Sequence, residues 1–420
     1  MKEISKVRIS SLLLLPLCIL LLNTSTIIMR YYNALKYWIL IVFVLGVIIS
    51  AGKNILSNAK TKEVRYWLLC LALMWGSSIY SFSRASTVSF CISATIYTLL
   101  LLWNLRKEFF VKLTNLLLIF LILTVATVYL NAIIPNLMIS KLSFLTLTDF
   151  HEIFEHEISR KLYSGIFCDR ATAAFAMNIG FAICLGRYLN PEKRKRVYMF
   201  LMAFFYCAIF LTGKRTLAVI PIIMGIAISL FYEQSARKRN FRILFLAASI
   251  IGLIIISVIP SISAVFVRST NTLESRTDLL WPVAIKMFWS NPLIGKGLNT
   301  YNNVMQQTNN YGGLFSNWST NCHNIYIQLL GELGLIGAIC IFITLWKVLK
   351  ETIKYLKNTR LSNISKEVIT ISFLLQILWL VYGFTGNTFY YSSQLLCYIL
   401  AFAMMEVYKN DEYIWDTDIS

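Results

Sequence analysis

The chain lacks the charge that a soluble protein of its size needs. Only 14% of its 420 residues are charged, whereas 57% are hydrophobic. Seven prolines and eighteen glycines are too few for a disordered or fibrous chain. No tandem repeat or low-complexity tract is present. Because so much apolar surface must face lipid, we predict an all-α membrane protein with a single integral membrane domain over residues 1–420.

Acidic residues are scarce. The chain has 20 Asp and Glu against 39 Lys and Arg, a formal net charge of +19. In a soluble protein this balance would suggest nucleic acid as a partner. In a membrane protein the excess of cations in cytoplasmic loops is a sufficient cause, so we expect no nucleic-acid partner.

Apolar stretches of the length needed to cross about 30 Å of hydrocarbon occur throughout the chain. We predict about twelve spans, at 10–29, 35–51, 65–83, 86–104, 112–134, 171–189, 197–212, 216–232, 243–260, 323–346, 368–385 and 389–408. With both termini in the cytoplasm, about two thirds of the cations fall on the inner side. Two long connections, 135–170 and 261–322, then lie outside the inner membrane of a bacterial cell, where we expect the active face.

Metal-binding patterns are missing. The nine cysteines form no CxxC or zinc spacing, and His151 and His156 are five residues apart, not the four of the HExxH motif. We therefore expect no metal site and no cofactor. Only Cys168 and Cys322 are near the outer surface, and a disulfide between them is a further hypothesis that depends on their loops meeting.

The second long loop contains an amphipathic segment and a glycine pair. Apolar residues recur at helical spacing over 275–290, which predicts a helix lying on the outer membrane surface. Gly295 and Gly297 flank Lys296 directly after it. This pattern fits a phosphate-binding nest and fits a plain turn about equally well.

Polar residues mark the start of the tenth predicted span. His323 stands at or near the first turn of the helix, where the helix N-terminus favours a neutral ring able to accept a proton. Asn324, Gln328, Gly331 and Glu332 follow as one stripe. Glu332 at membrane depth is a candidate for function, and a structural hydrogen bond to a neighbouring helix is the alternative.

Cations are few on the predicted outer side, which makes the remaining ones candidates for binding phosphate. They are Arg84, Arg160, Lys161, Arg170, Lys214, Arg215, Arg268 and Arg276. Each could equally be a solvated loop charge, and only their convergence in space would distinguish the two cases.

Ordered short patches resemble the O-antigen ligase and O-antigen polymerase superfamily of bacterial membrane glycosyltransferases. They are Ser164-Gly165-Ile166-Phe167, Gly213-Lys214-Arg215, Arg276 with Trp281, Asn291-Pro292-Leu293-Ile294-Gly295-Lys296-Gly297, His323-Asn324 and Gly331-Glu332-Leu333-Gly334-Leu335-Ile336-Gly337. The likeness covers about 160–345. One departure is Cys168-Asp169-Arg170, where such proteins often have an Asn-Pro-Asn-like turn.

The resemblance implies a metal-independent, inverting transfer of a glycan from undecaprenyl diphosphate to an acceptor sugar hydroxyl. It implies that Arg215 and Arg276 neutralise the diphosphate and that His323 is a base or orients the acceptor. Further substrate-binding candidates are Lys214, Arg84, Arg170, Lys296, Asn324 and Glu332. Partners would be the lipid-linked oligosaccharide, the acceptor glycan and the lipid bilayer, with a flippase and a chain-length regulator as candidate protein partners.

Two functions share this donor. A polymerase would join repeat units into capsule, exopolysaccharide or O-antigen, and it is our first hypothesis. A ligase would transfer the glycan to a lipid A core of lipopolysaccharide or to another acceptor. A polysaccharide transporter or flippase is a third hypothesis, less favoured because polar residues concentrate at outer span ends rather than near the midplane.

Overall fold

A computed structural model describes residues 11–22, 37–46, 59–103, 106–140, 155, 158–167, 169–190, 193, 195–232, 275–307, 321–358 and 361–417. Every regular element in these ranges is helical. The α-helices are α1 (Leu14–Leu22), α2 (Tyr37–Gly46), α3 (Lys62–Ser77), α4 (Arg84–Leu102), α5 (Lys107–Ile133), α6 (Pro135–Ser140), α7 (Arg170–Leu189), α8 (Lys195–Leu211), α9 (Arg215–Phe231), α10 (Trp281–Ser290), α11 (Tyr301–Gln307), α12 (Ile325–Lys357), α13 (Asn363–Tyr382) and α14 (Ser392–Thr417). A π-helical turn, Ser275–Leu280, leads directly into α10.

The predicted spans overlap these helices, except that 243–260 lies outside the described residues. Five helices are long and apolar enough to cross a membrane: α4, α5, α7, α12 and α13. Shorter apolar helices are Tyr37–Gly46, Arg196–Leu211, Arg215–Phe231 and Ser392–Tyr408. The described part of the chain is therefore all-helical, with several helices of the length and composition of a multi-pass membrane protein. The count of twelve, the sidedness and the loop boundaries stay predictions.

Helix α7 forms the centre of the bundle. It packs against α5, α8, α9 and α13. In its apolar stretch 94% of the residues are buried inside the protein, compared with 39% in the apolar stretch of α5. Its sequence, RATAAFAMNIGFAICLGRYL, is rich in alanine and glycine, so neighbouring helices approach it closely. Asp169 caps the helix by accepting hydrogen bonds from the Ala171 and Thr172 amides.

Helix α12 is broken at Gly334, which the sequence analysis did not anticipate. Gly334 has φ 63° and ψ −168°, a conformation outside the helical region. The break lies inside the helix that begins beside His323. In lipid the backbone groups released by a break must find other partners, because each unpaired group costs several kcal/mol.

The loop 291–297 occupies this break. In a continuous helix the Leu335 and Ile336 amides would bond to the carbonyls four residues earlier. Four backbone bonds to the loop take their place: Lys296 N to Gly331 O (3.3 Å), Gly297 N to Glu332 O (2.8 Å), Leu335 N to Pro292 O (2.8 Å) and Ile336 N to Leu293 O (3.1 Å). The loop therefore replaces both lost helical hydrogen bonds and fixes its own position against α12.

The predicted helix over 275–290 is present, but its apolar stripe faces protein rather than lipid. Leu280, Ala284 and Met287 are buried in a small core with α11 and Cys322. A Cβ atom added at Gly331 would lie 2.7 Å from Ala284 O, so α10 crosses α12 in close contact. The apolar periodicity therefore reflects packing against α12, and the location of this helix on the outer membrane surface stays a prediction.

We expect Gly334→Ala to destabilise the protein. A side chain there must adopt an extended backbone with positive φ that only glycine takes readily, which costs about 1–3 kcal/mol, and its Cβ atom would lie 2.4 Å from the Leu293 carbonyl carbon. Thermal unfolding of the purified protein in detergent measures the effect. Gly76→Ala in α3 is the matched control, because nothing lies within 4 Å of its added Cβ atom. Equal unfolding temperatures for the two variants would contradict the role of the break.

Candidate functional site

The predicted histidine stands immediately before α12. The helix begins at Ile325, and the Asn324 side-chain oxygen accepts hydrogen bonds from the Tyr326 and Ile327 amides at 3.0 and 3.2 Å. His323 precedes this cap and has a left-handed backbone with φ 56°, which histidine tolerates better than most residues. The Asn324 oxygen is occupied by the helix end, so its contacts favour capping over the predicted binding of substrate.

Asn387 holds His323 at two points, although no sequence motif singled it out. The Asn387 side-chain oxygen lies 2.9 Å from His323 N, and its side-chain nitrogen lies 3.2 Å from His323 Nδ1. Asn387 is buried in the connection between α13 and α14. The same connection holds the helix entrance itself, because Gly383 O accepts a hydrogen bond from Ile325 N at 2.9 Å.

Two cations act on His323 from distant parts of the sequence. Arg276 belongs to the π-helical turn before α10, and Lys214 to the turn between α8 and α9. Burial, and then the charges of Arg276 and Lys214, lower the pKa of His323 to about 4. The ring is therefore neutral near pH 7. The structure brings these three predicted residues together, which the sequence could not show.

Arg276 is a partly buried cation. Burial lowers its pKa, while Tyr382 and Cys322 act in the opposite direction. The guanidinium stays charged, since its ordinary pKa exceeds 12. In the part of the chain that the structure describes, no carboxylate pairs with Arg276. A partly buried guanidinium in this state is well suited to an anionic ligand.

The turn containing Lys214 also adjoins two other predicted cations. Arg215 follows Lys214 as the first residue of α9. Arg170, the first residue of α7, directs its Nη1 atom to Thr212 O at 3.4 Å. The ends of α7, α8 and α9 therefore gather three cations on the side of the molecule that holds His323.

Glu332 is fully buried, and its carboxylate is saturated with donors. Oε2 accepts from Asn299 N (2.7 Å) and the Tyr390 hydroxyl (2.8 Å), and Oε1 accepts from Tyr301 N (2.9 Å) and Gln328 Nε2 (3.0 Å). Burial and the Glu332 charge raise the pKa of Tyr390, so its hydroxyl stays a donor. These contacts favour the structural alternative for Glu332 over substrate binding.

The glycine pair forms a turn rather than an open phosphate nest. The Gly295 amide donates to Asn291 O at 2.9 Å, and the amides of Lys296 and Gly297 bond to α12. Gly295 has φ 70°, and a Cβ atom there would lie 2.3 Å from the Glu332 carbonyl. Because all three amides already have partners, the nest interpretation is wrong.

Two predicted substrate-binding cations stand apart from His323. Arg84 is exposed at the first residue of α4, and the Lys296 side chain is half-buried on the loop in the break. Among the described residues, no hydrogen bond, ion pair or charge interaction joins either one to His323 or Arg276. Their predicted role has no support from these contacts.

The structure does not describe His151, His156 or Cys168. The hypotheses about a metal site in the first long loop and about a disulfide with Cys322 therefore depend on residues outside the described part of the chain. Cys322 is buried, with Sγ 4.0 Å from Leu280 O, and burial raises its pKa to about 12. The pairing of Cys168 with Cys322 stays a prediction.

Residues 197–342 match the family model for O-antigen ligase. The resemblance to the O-antigen ligase and polymerase superfamily is confirmed. The matched region runs from α8 into α12 and contains Lys214, Arg215, Arg276 and His323. The match supports an activity of the O-antigen ligase or polymerase type on a lipid-linked glycan. A comparison with curated proteins finds no significant match.

Sequence reasoning missed the residues that support the matched region from elsewhere in the chain. Asn387 and Tyr390 follow α13, outside the matched residues, and hold His323 and Glu332. A run of GNTFYY between two spans was the available signal, because Asn and Gly in a short connection indicate an ordered turn. Nothing in the run indicates which side chains it contacts.

We expect His323 to titrate far below an ordinary histidine. A ring whose pKa is lowered from 6.5 to about 4 stays neutral until the pH falls through that value. Below an unfolded pKa of about 6.5, the unfolded chain binds a proton that the folded ring cannot, so stability falls as the pH drops. NMR titration in liposomes measures the midpoint, with the signal assigned by its loss in His323→Gln.

Lys214→Met is the matched variant for this titration. It removes one positive charge and keeps an unbranched side chain, so the midpoint should rise toward the ordinary value. A wild-type midpoint at 6.5 or above would show that burial and the two cations do not lower the pKa of His323.

Proposed function

We propose that this protein is a polysaccharide polymerase at the outer face of the bacterial inner membrane. It transfers a glycan from undecaprenyl diphosphate to a hydroxyl of an acceptor sugar. Arg276, Arg215 and Lys214 bind the diphosphate, and His323 completes the site. The larger share of cations in the predicted cytoplasmic loops supports the outer location.

The convergence of Arg276 and Lys214 on a neutral His323 is the observation that carries this proposal. The three residues come from two connections between helices and from the entrance of α12, and all lie in the O-antigen ligase region. Surface charges that served solubility alone would have no reason to meet at a half-buried histidine. A diphosphate supplies the negative charge that such a cluster favours.

The chemistry requires one bond exchange. The acceptor oxygen attacks the anomeric carbon as the bond from that carbon to the diphosphate oxygen breaks, and a single in-line displacement inverts the configuration. The acceptor's proton leaves to water, which returns a proton to the released diphosphate. Cations that stabilise the charge developing on the diphosphate lower the barrier, because they act more strongly in the transition state than in the ground state.

The break in α12 bears on the transport hypothesis, since transporters often use broken helices as binding sites. At Gly334 the loop 291–297 forms hydrogen bonds with the backbone groups that the break releases, and the Glu332 carboxylate accepts hydrogen bonds from protein donors. The groups at this break are therefore used to hold the loop rather than presented to a solute, which favours the transferase.

Purified protein in liposomes, given one lipid-linked repeat unit, should make a ladder of chain lengths. EDTA should leave the ladder intact, because side-chain cations supply the charge neutralisation. Product that forms only after a lipid A core acceptor is added would indicate a ligase and overturn the polymerase proposal. Movement of intact lipid-linked glycan across the bilayer without transfer would overturn both.

The same assay tests the residues. We expect His323→Ala, Arg215→Ala and Arg276→Ala each to lower the rate by about 100-fold or more, the effect of removing a group that stabilises the transition state. Protein level and elution should match wild type. Lys354→Ala, which removes an exposed charge paired with Glu351 at the far end of α12, is the control. Wild-type polymer from any of the three variants would contradict the role of that residue.

A further inference from the structure

The side chain of Asn387 can take only one orientation beside His323. A backbone N–H is always a donor, so the Asn387 atom 2.9 Å from His323 N must be the amide oxygen. The reversed orientation would place the NH₂ group against that N–H, donor against donor. Because the oxygen is fixed in this way, the NH₂ group faces His323 Nδ1 at 3.2 Å.

This orientation decides the tautomer of His323. An NH₂ group can only donate, so Nδ1 must accept and carries no proton. The neutral ring then holds its proton on Nε2. A protonated Nδ1 would face the Asn387 NH₂ group, so both the cation and the other neutral tautomer are disfavoured. Among the described residues, Nε2 has no hydrogen-bond partner.

The support for Asn387 is rigid. The backbone carbonyl oxygen of Asn387 accepts hydrogen bonds from the Tyr390 and Tyr391 amides at 2.9 and 3.1 Å. In the same connection, Trp379 Nε1 donates to the backbone oxygen of Thr388 at 3.0 Å. The same connection binds Ile325 N through Gly383 O. One hydrogen-bonded connection therefore holds the Asn387 amide and the His323 imidazole in their positions relative to each other.

We propose that Asn387 is a positioning residue that keeps His323 as the Nε2–H tautomer, so that His323 donates a hydrogen bond to the diphosphate rather than accepting the acceptor's proton. The inference rests on the proposed function and replaces the expectation that His323 is a base. Arg276 and Lys214 act on the same ring, which places it on the leaving-group side. His323 keeps its proton, and the acceptor's proton leaves to water, which returns a proton to the released diphosphate.

Asn387→Asp separates this proposal from a base mechanism. A carboxylate still accepts from His323 N, but it also draws a proton to Nδ1 and leaves Nε2 as an acceptor. We expect the transfer rate to fall by about 100-fold or more, the cost of removing one transition-state donor. If His323 were a base, the new carboxylate would assist it. Activity equal to or above wild type would therefore overturn the proposal.

His323→Gln and His323→Ala give a second comparison that leaves Asn387 unchanged. A glutamine can place an N–H donor near the position of Nε2 but cannot act as a base. We expect His323→Gln to retain measurably more activity than His323→Ala. Equal loss of activity in these two variants, at equal protein level and thermal stability, would contradict the donor role.

The tautomer can be observed without any assay of transfer. In protein labelled with ¹⁵N-histidine, we expect His323 Nδ1 to give the signal of an unprotonated nitrogen at neutral pH, and Asn387→Asp to convert it to a protonated one. A protonated Nδ1 in the wild type would overturn the assignment. If the wild type transferred no glycan, the proposed function would fail, while this measurement would still decide the tautomer.

Discussion

The hydrogen bonds between the loop 291–297 and the break at Gly334 are the constraint on which the half of the molecule that holds His323 depends. A helix crossing lipid cannot release backbone groups without replacement partners. Here a loop that follows α10 supplies the two donors and two acceptors that the break removes. This exchange holds α10 and α11 over α12, and the π-helical turn that carries Arg276 precedes α10 directly.

Glu332 extends the same arrangement to the connection between α13 and α14. Its four donors come from the loop after α10, from α12 itself and from Tyr390 beyond α13. A buried carboxylate with every lone pair engaged specifies one arrangement of these segments, because any other would leave a charge unpaired in a medium that solvates it poorly. The residue therefore serves function indirectly, through the placement of Arg276 and the helix entrance.

The site that results is assembled from segments far apart in the sequence. Lys214 comes from the turn between α8 and α9, Arg276 from the second long loop and Asn387 from the connection after α13, and all act on His323. A neutral histidine on which two cations act suits an anionic ligand. This agrees with the match to O-antigen ligase, which covers His323 and both cations but leaves Asn387 outside.

The sequence alone determined the membrane class, the approximate positions of the helices and the candidates His323, Lys214 and Arg276, because hydropathy and charge are local properties of the chain. It could not show the break at Gly334, because a glycine in a span is also expected where two helices pack closely. The break is evident only when the loop 291–297 is seen to hydrogen-bond with the backbone on either side of Gly334. The sequence also could not show that the stripe over 275–290 packs against α12, because apolar periodicity is the same against lipid and against a helix. Only the tertiary structure decided which cations converge, and only Asn387, brought beside His323 by folding, decides where that ring carries its proton.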